Sequence, residues 1–388
     1  MGSPMRASLP KIRRRDLLTA ALLLPALRAG IGRAWAEPDT GAPDRRIGDM
    51  IVVGFFGDAP DAPGARAVAE WLRAGLVGGV IFYEDNLPNP PAAKALTQFF
   101  AAAAGSSTPF FCIDQEGGAV SRLRPENGFT SPPSAAEVAA RPLDQAAAAY
   151  GRMAAELRRL GFNLNLGPVV DLAANEDSRV IFGAGRSFGD DPRKVTDYAR
   201  AFIQAHRENH VLTALKHFPG LGSTPEDPHR DLPDVTATWR KEELRPYIEL
   251  TNTGFADMVM VGHMVHAGLT EPGRPTSLST RTVTGLLRQT LGYDGVVISD
   301  DMQMGALRNH FSPDEAARLG VDAGVDLFMY SNRGRADPWT PLQFHRAVKS
   351  AVADGRIPPG RIETSATRLS RLKQSIVFAN AELATQMR

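Results

Sequence analysis

Residues 295–301 read Gly-Val-Val-Ile-Ser-Asp-Asp, a short apolar run that ends in one hydroxyl and two carboxylates. The apolar residues are consecutive and show no helical period, which is typical of a strand buried on both faces of a parallel sheet. Seven other short runs rich in Val, Ile, Phe and Leu have the same character. With residues 295–300 they make eight predicted strands, the others being residues 50–57, 79–83, 110–114, 163–170, 213–217, 258–263 and 325–330.

A stretch of helical character follows each predicted strand. Eight strand–helix units in one chain predict an α/β protein with a single-domain (β/α)8 TIM barrel. An open doubly wound sheet is the alternative, but no Gly-x-Gly-x-x-Gly turn follows the first strand. The predicted helices cover residues 66–74, 92–104, 135–160, 192–208, 240–252, 281–291, 313–319 and 341–353.

Polar side chains gather where the predicted strands end. A (β/α)8 barrel carries its active site at the C-terminal ends of its strands, so these residues mark a candidate active site. The last six strands end in, or are followed closely by, Asp114, Asp171, Lys216 with His217, His263, Asp300 with Asp301, and Ser331 with Asn332.

The composition excludes several classes of protein. The 388 residues are 43% hydrophobic and 22% charged, as in a globular protein and unlike a disordered one. The net charge of +1 provides no electrostatic attraction for a nucleic acid or an anionic membrane. The single cysteine excludes an internal disulfide and a multi-cysteine metal site.

The first residues have the three parts of an export signal. Residues 11–15 are mostly basic, residues 19–27 are mostly apolar, and residues 34–36 read Ala-Trp-Ala. The paired arginines resemble a twin-arginine signal, and the apolar run is shorter than a membrane span. We therefore expect residues 1–36 to be an export signal and residues 37–388 to be the barrel domain of a periplasmic or secreted protein without a stable membrane anchor. An uncleaved amphipathic helix is the alternative.

Asp300 is a candidate nucleophile. It closes an apolar strand, so its carboxylate is expected to emerge into the mouth of the barrel in a fixed position. An aspartate at a strand end can instead cap the next helix, but Asp301 can serve as that cap for residues 302–307.

Asp227 and His229 lie on a loop rich in Gly and Pro that follows the fifth strand. In an extended segment, residues two apart project to the same side. An aspartate bound to one ring nitrogen fixes the tautomer and increases the basicity of the other, which suits a general acid/base. The alternative is an Asp-Pro turn with a solvated histidine.

Several cations are predicted around the same mouth. Lys216 and His217 end a buried strand with no acidic neighbour in the sequence, so we expect a substrate oxygen to be their partner. Arg122 and Arg186 offer forked donors that bind oxygen atoms in pairs. Individually each arginine could equally form a surface or structural ion pair.

A metal-dependent amidohydrolase is a further alternative. That class needs a His-x-His pair at the end of the first strand, and residues 52–57 contain no histidine. We therefore expect neither a metal nor an organic cofactor.

Five motifs in order resemble glycoside hydrolase family three, and within it the single-domain bacterial β-N-acetylglucosaminidase branch. The resemblance runs from the first strand to the last helix, and the ordered combination is far more specific than any one motif. The motifs are residues 114–122 (DQEGGAVSR), 185–189 (GRSFG), 216–220 (KHFPG), 227–229 (DPH) and 298–302 (ISDDM).

The resemblance implies a retaining double displacement on terminal N-acetyl-β-glucosaminides. Asp300 matches the nucleophile, His229 the acid/base and Asp227 the residue that polarises it. The family's sugar-holding positions fall on Asp114, Arg122, Arg186, Lys216 and His217.

The sequence departs from the family pattern at two positions. Leu221 stands where the family usually has histidine, and Pro228 stands where it usually has serine, between Asp227 and His229. Neither change removes a member of the pair.

We therefore expect an exported, monomeric β-N-acetylhexosaminidase that acts on N-acetylglucosamine-containing glycans such as muropeptides or chitooligosaccharides. A β-glucosidase of the same family and a catalytically weak sugar-binding barrel are the alternatives.

Overall fold

Eight parallel strands close into a barrel in the computed structural model, which describes residues 44–333 and 340–386. Each barrel strand pairs with the next one along the chain, and the last closes on the first, with Val52 opposite Met329. A two-stranded antiparallel hairpin, β4 and β5, is inserted after the third barrel strand. The strands are β1 Ile51–Val53, β2 Gly79–Phe82, β3 Phe110–Ile113, β4 Gln115–Gly117, β5 Val120–Ser121, β6 Leu164–Asn165, β7 Leu212–Phe218, β8 Met258–Val261, β9 Val296–Asp301 and β10 Leu327–Tyr330.

The predicted (β/α)8 barrel is therefore confirmed, and the closed strand order excludes the open doubly wound sheet. All residues of β1, β2 and β3 are buried, because side chains face the barrel interior on one side and the helices on the other. Phe82 illustrates this packing: its ring makes edge-to-face contacts with Phe55, Phe100 and Phe162 at centroid distances of 5.3, 5.9 and 5.1 Å.

Helices surround the barrel, and some of them begin at side-chain caps. The side chains of Asn89, Asp191 and Ser312 each accept a hydrogen bond from a first-turn N–H group. The α-helices are α1 Arg45–Gly48, α2 Pro63–Ala74, α3 Pro90–Ala104, α4 Ala135–Ala139, α5 Leu143–Leu160, α6 Pro192–Glu208, α7 Arg245–Asn252, α8 Gly305–Arg308, α9 Pro313–Ala323, α10 Thr340–Ala353 and α11 Pro359–Gln386; Arg281–Thr290 is a π-helix, and Glu84–Asn86, Pro125–Asn127, Lys241–Leu244 and Thr276–Leu278 are 3-10 turns.

Several elements of the structure differ from the predicted ones. The predicted helix over residues 135–160 is broken into α4 and α5, because Pro142 has no N–H group and restricts the residue before it. The predicted strand over residues 163–170 contracts to β6, since Pro168 cannot donate to a ladder. The C-terminal helix α11 was not predicted.

The predicted export signal, residues 1–36, and its boundary with the barrel domain lie outside the described residues. Within residues 44–333 and 340–386, no helix is both long and apolar enough to cross a membrane.

Candidate active site

The sequence-predicted site residues meet at the C-terminal ends of the strands. Asp114 follows β3 directly, and the hairpin that comes next carries Glu116 in β4 and leads to Arg122. Lys216 and His217 lie near the end of β7, and Asp300 lies near the end of β9. Lys216 and His217 are consecutive, and both contact acidic residues of the mouth; the peptide bond that joins them is cis. The barrel topology thus brings together residues far apart in the sequence.

A buried ion-pair network forms one side of the mouth. Lys216 Nζ lies 2.8 Å from Asp114 Oδ1 and 2.6 Å from Glu116 Oε1. The Arg186 guanidinium donates two hydrogen bonds to Glu116, at 2.7 and 2.8 Å, in the paired geometry that favours arginine over lysine. Arg122 lies 3.3 Å from the other oxygen of Asp114. The network therefore contains three cations and two carboxylates.

The network keeps its carboxylates ionised. Burial alone would raise the pKa of Asp114, but Lys216 and Arg122 outweigh it and hold that pKa well below its usual value. Burial likewise opposes ionisation of Glu116, yet Arg186 and Lys216 lower its pKa to about 2. Lys216 remains charged because the two carboxylates raise its pKa against the effect of burial.

Lys216 therefore has partners within the protein, in addition to any oxygen that a substrate could supply. Its two carboxylate partners, Asp114 and Glu116, lie about a hundred residues earlier in the chain, and the pairing of β6 with both β3 and β7 brings them beside Lys216. Arg186 is also committed to Glu116 and is not a free clamp. Any sugar held by these cations would therefore bind to groups that the protein has already oriented.

His217 is oriented by the fully buried Asp171. His217 Nδ1 lies 2.7 Å from Asp171 Oδ2, and its Nε2 lies 3.3 Å from Arg186 Nη2. Because Arg186 can only donate, Nε2 is the acceptor and Nδ1 carries the proton that is donated to Asp171. The ring is thus fixed in one tautomer.

Asp300 is half-buried and ionised. Burial raises the pKa of Asp300, but the neighbouring imidazoles of His217, His263 and His229 and the N–H of Asp301 outweigh that effect, so the pKa lies below its usual value. The N–H of Asp301 donates to Asp300 Oδ1 at 2.7 Å. A carboxylate with one oxygen held and three imidazoles nearby suits a nucleophile or an electrostatic stabiliser.

Asp301 does not cap a helix over residues 302–307, contrary to the expectation. The helix is α8, with Met304 at its N-cap, and Asp301 Oδ1 instead accepts hydrogen bonds from the N–H groups of Gln303 and Ser331 at 3.1 and 3.0 Å. After Asp301 the chain turns back to meet the end of β10. The hydrogen bonds within this turn occupy the Asp301 carboxylate, so it is not available to cap the helix that begins at Gly305. Asp301 therefore still has a structural role, and Asp300 is the carboxylate that the surrounding histidines stabilise.

Asp227 and His229 form the predicted hydrogen-bonded pair, at 2.8 Å between Asp227 Oδ1 and His229 Nδ1. The predicted reason was wrong, because the segment is a turn rather than extended. The N–H of His229 donates to Asp227 Oδ1, and the N–H of Arg230 donates to the carbonyl of Asp227. The His229 side chain is 68% exposed.

An aromatic and ionic cluster continues the network beyond Arg122. The guanidinium groups of Arg122 and Arg333 lie 5.2 and 4.7 Å from the centre of the Tyr83 ring. Both also pair with Glu84, at 3.3 and 2.6 Å. This cluster joins the loops that follow β2, β5 and β10.

Sequence reasoning assigned no role to Glu116, Asp171 or His263. Glu116 lies inside a quoted motif, and Asp171 and His263 were placed at the strand ends that mark the candidate site, but nothing in the sequence showed which groups they contact. His263 is buried beside β9, with Nδ1 2.7 Å from Ser277 Oγ and Nε2 3.1 Å from the carbonyl of Asp301. Within the part of the chain that the structure describes, no three His, Cys, Asp or Glu side chains are arranged to hold a metal ion.

A (β/α)8 barrel with oriented carboxylates and imidazoles at this end has the groups of an acid–base hydrolase. The chain belongs to glycosyl hydrolase family 3, because residues 43–372 match the model of the glycosyl hydrolase family 3 N-terminal domain. This match confirms the predicted family and, with it, the predicted enzyme class, a glycoside hydrolase.

Curated relatives carry a consistent name. The chain is 34% identical over 351 residues to beta-hexosaminidase LpqI of Mycobacterium tuberculosis, which covers 86% of this chain and 83% of the relative. It is 32% identical over 333 residues to beta-hexosaminidase A of Pseudoalteromonas piscicida, covering 79% of this chain but only 55% of that longer protein.

Solved structures give the same result. A family 3 beta-N-acetylglucosaminidase from Paenibacillus sp. matches with a TM-score of 0.78 and 32% identity, over 86% of this chain and 62% of the other. A beta-N-acetylhexosaminidase from Beutenbergia cavernae matches with a TM-score of 0.77 and 28% identity, over 87% of this chain and the full length of the other.

Proposed function

We propose that the protein is a retaining β-N-acetylhexosaminidase that removes terminal, non-reducing N-acetylglucosamine from cell-wall muropeptides or chitooligosaccharides. The observation that carries the proposal is the pairing of an ionised Asp300 with the Asp227–His229 pair at one barrel mouth. The names of the relatives support the substrate class, and the electrically neutral sugar agrees with a site whose charges are paired within the protein.

In the first step, an Asp300 oxygen attacks the anomeric carbon while the bond from that carbon to the leaving oxygen breaks. His229 donates its Nε2 proton to the leaving oxygen, and Asp227 stabilises the ring through Nδ1. In the second step, His229 takes a proton from water, the water oxygen bonds to the anomeric carbon, and Asp300 is released. An Asp–His pair thus replaces the second carboxyl of the common retaining scheme.

Asp114, Arg122, Arg186, Lys216 and His217 are proposed to hold the sugar. They carry donors on the cations and acceptors on Asp114, which matches the mixed needs of hydroxyl and acetamido groups. Because the ion-pair network fixes these groups before the sugar binds, little side-chain ordering is needed on binding.

The experiment compares hydrolysis of an aryl N-acetyl-β-glucosaminide with hydrolysis of the aryl β-glucoside. Preference for the acetamido sugar supports the proposal, and preference for the glucoside would make the protein a β-glucosidase. Sugar binding by calorimetry without turnover of either substrate would make it a binding barrel. Release of N-acetylglucosamine from purified cell wall or chitobiose then identifies the glycan.

We further propose that the enzyme is exported as a monomer to the periplasm or beyond. The pattern of residues 11–36 supports the export signal. Mass spectrometry of the mature N-terminus and fractionation of the producing cell test export, and sedimentation tests the oligomeric state. An intact N-terminus in the cytosolic fraction would contradict export.

A further inference from the structure

The tip of the loop that carries His229 is held by the segment downstream of the nucleophile. We name residues 227–231 the acid/base loop and residues 305–310 the docking segment. The N–H of Gly305 donates to the carbonyl of His229, and the N–H of Ala306 donates to the carbonyl of Pro228, both at 3.1 Å. Two side chains extend this contact, since Asn309 Nδ2 donates to the carbonyl of Arg230 at 3.0 Å and His310 Nε2 lies 2.5 Å from Asp231 Oδ1.

The docking segment is anchored in the barrel, whereas the acid/base loop is exposed. Ala306 and Leu307 are fully buried, and the segment begins four residues after the end of β9. In the loop, the side chains of His229 and Arg230 are 68% and 86% exposed. The position of the loop is therefore set by the docking segment, and the segment in turn continues from the strand that ends in Asp300 and Asp301.

Gly305 is the point of closest approach. A Cβ atom on this residue would lie 2.2 Å from the carbonyl oxygen of Arg230 and 2.7 Å from that of His229. Real Cβ atoms do not approach backbone this closely, so any side chain here must move the loop. Gly305 does not have a positive φ, and alanine can therefore adopt its backbone conformation without strain. The steric conflict is thus confined to the docked loop.

We propose that the docking segment positions the acid/base for catalysis, and that Gly305 and Asn309 are positioning residues that act through His229. The proposal rests on the proposed function and adds residues that touch neither sugar nor reacting atoms. Its consequence is that Asp300 and the docking segment belong to one continuous stretch, from β9 to α8, so that docking of the acid/base loop on this stretch fixes the separation between Asp300 and His229.

The test uses Gly305→Ala and two substrates, an activated 2,4-dinitrophenyl N-acetyl-β-glucosaminide and chitobiose. A dinitrophenolate leaves without protonation, whereas the alcohol of chitobiose needs the acid. We expect kcat/KM for chitobiose to fall about 10²-fold or more, and kcat/KM for the activated substrate to fall only about threefold, since a positioned acid contributes about 10²–10⁴-fold. Deuterium exchange of the peptide covering residues 226–232 should become faster.

Matched variants keep the test specific. Gly151→Ala is the control, because a Cβ there meets nothing within 4 Å in the interior of α5. Asn309→Ala removes one loop contact without adding bulk and should give the same selectivity with a smaller loss. Its control is Asn209→Ala, which removes another side-chain hydrogen bond to a carbonyl, 2.8 Å from Ala205. Both controls should leave both substrates and the loop exchange unchanged.

The outcomes separate this inference from the proposed function. The proposed function is overturned if the wild type hydrolyses neither substrate, or if His229→Ala lowers kcat/KM equally for both leaving groups. The inference is then overturned as well, because it rests on the proposed function. If His229→Ala is selective but Gly305→Ala and Asn309→Ala slow both substrates equally, or leave both rates and the loop exchange unchanged, only the inference is overturned. A Gly305→Ala protein that does not fold leaves the decision to Asn309→Ala.

Discussion

The carboxylate of Asp171 binds His217 through both its ring and its backbone. Oδ2 accepts from the ring Nδ1 at 2.7 Å, and Oδ1 accepts from the His217 N–H at 3.0 Å. The same Oδ1 accepts from the N–H of Leu221 at 2.9 Å, at the start of the long connection that leads to His229. One fully buried carboxylate therefore fixes both the end of β7 and the beginning of that connection.

Asp171→Asn is predicted to lower both stability and activity. The carboxylate accepts three hydrogen bonds with two oxygens, from the ring N–H of His217 and from two backbone N–H groups. The amide of asparagine has only one oxygen, so a buried polar group is left unpaired. We expect the free energy of unfolding to fall by about 3–5 kcal/mol, as for other broken buried pairs, and kcat/KM to fall by at least tenfold. Urea unfolding and steady-state kinetics measure the two effects. Asp354→Asn, which weakens an exposed pair with Arg356, should change stability by less than about 1 kcal/mol. Equal effects of the two variants would contradict the prediction.

Asp300→Ala is predicted to abolish turnover while leaving the fold intact. The side chain is half-buried and its one fixed hydrogen bond comes from the adjacent N–H, so its removal disturbs little packing. We expect kcat to fall by about 10⁴-fold or more, the range seen when a nucleophile is removed. A slow fluorinated N-acetylglucosaminyl substrate should label the peptide containing Asp300 in the wild type, as detected by mass spectrometry. Labelling of the Asp300→Ala protein at another residue would assign the nucleophile elsewhere.

The barrel was predictable because burial on both faces leaves a simple trace in the sequence. In a run such as residues 295–300, the apolar residues are consecutive and do not alternate with polar ones. Eight such runs that alternate with helical stretches are compatible with few topologies. The ends of the helices and strands were less predictable. Pro142 interrupts a predicted helix and Pro168 a predicted strand, although the hydrophobic pattern continues past both residues. The pattern reports burial, whereas the ends depend on where N–H groups are available.

The site was predictable as a set of strand-end residues but not as a set of pairs. Asp227 and His229 are close in sequence, and their hydrogen bond was expected from their spacing. The partners of Lys216 and Arg186 could not be read in this way, because Glu116 lies 70 residues before Arg186 and meets it only when the strands β3 and β6 pair. The contact of Gly305 with the acid/base loop could not be predicted either, because it joins residues that are far apart in the sequence.

Arg186→Lys is predicted to be a severe change despite the retained charge. An ammonium group cannot reproduce the two parallel hydrogen bonds to Glu116 or the further one, at 3.0 Å, to the carbonyl of Val180. We expect a loss of about 2–4 kcal/mol in the free energy of unfolding and a higher KM. Thermal unfolding and kinetics measure both. Arg356→Lys, at an exposed single pair, is the control and should behave as the wild type. A wild-type KM in Arg186→Lys would show that the guanidinium geometry does not orient the sugar-binding groups.

Glu243→Gln is predicted to change how stability depends on pH. Burial raises the pKa of Glu243 from 4.5 to about 7, and the charge of Asp171 adds to that rise, while the N–H groups of Arg240 and Gly222 oppose it. Between these two values the folded protein holds a proton that the unfolded chain has released. The contribution of Glu243 is therefore greatest below about pH 4.5 and is lost as the pH rises through about 7, by about 3 kcal/mol in total.

Glutamine cannot titrate, so the stability of Glu243→Gln relative to the wild type should increase between pH 5 and pH 8. Its amide oxygen can still accept from the N–H of Gly222, as Glu243 Oε2 does at 3.1 Å, so the start of the connection toward His229 should remain in place. Urea unfolding at both pH values measures the difference, with the exposed neighbour Glu242→Gln as the control for loss of one charge in this turn. Parallel stability curves for the wild type and Glu243→Gln across this range would show that Glu243 does not release a proton near neutral pH.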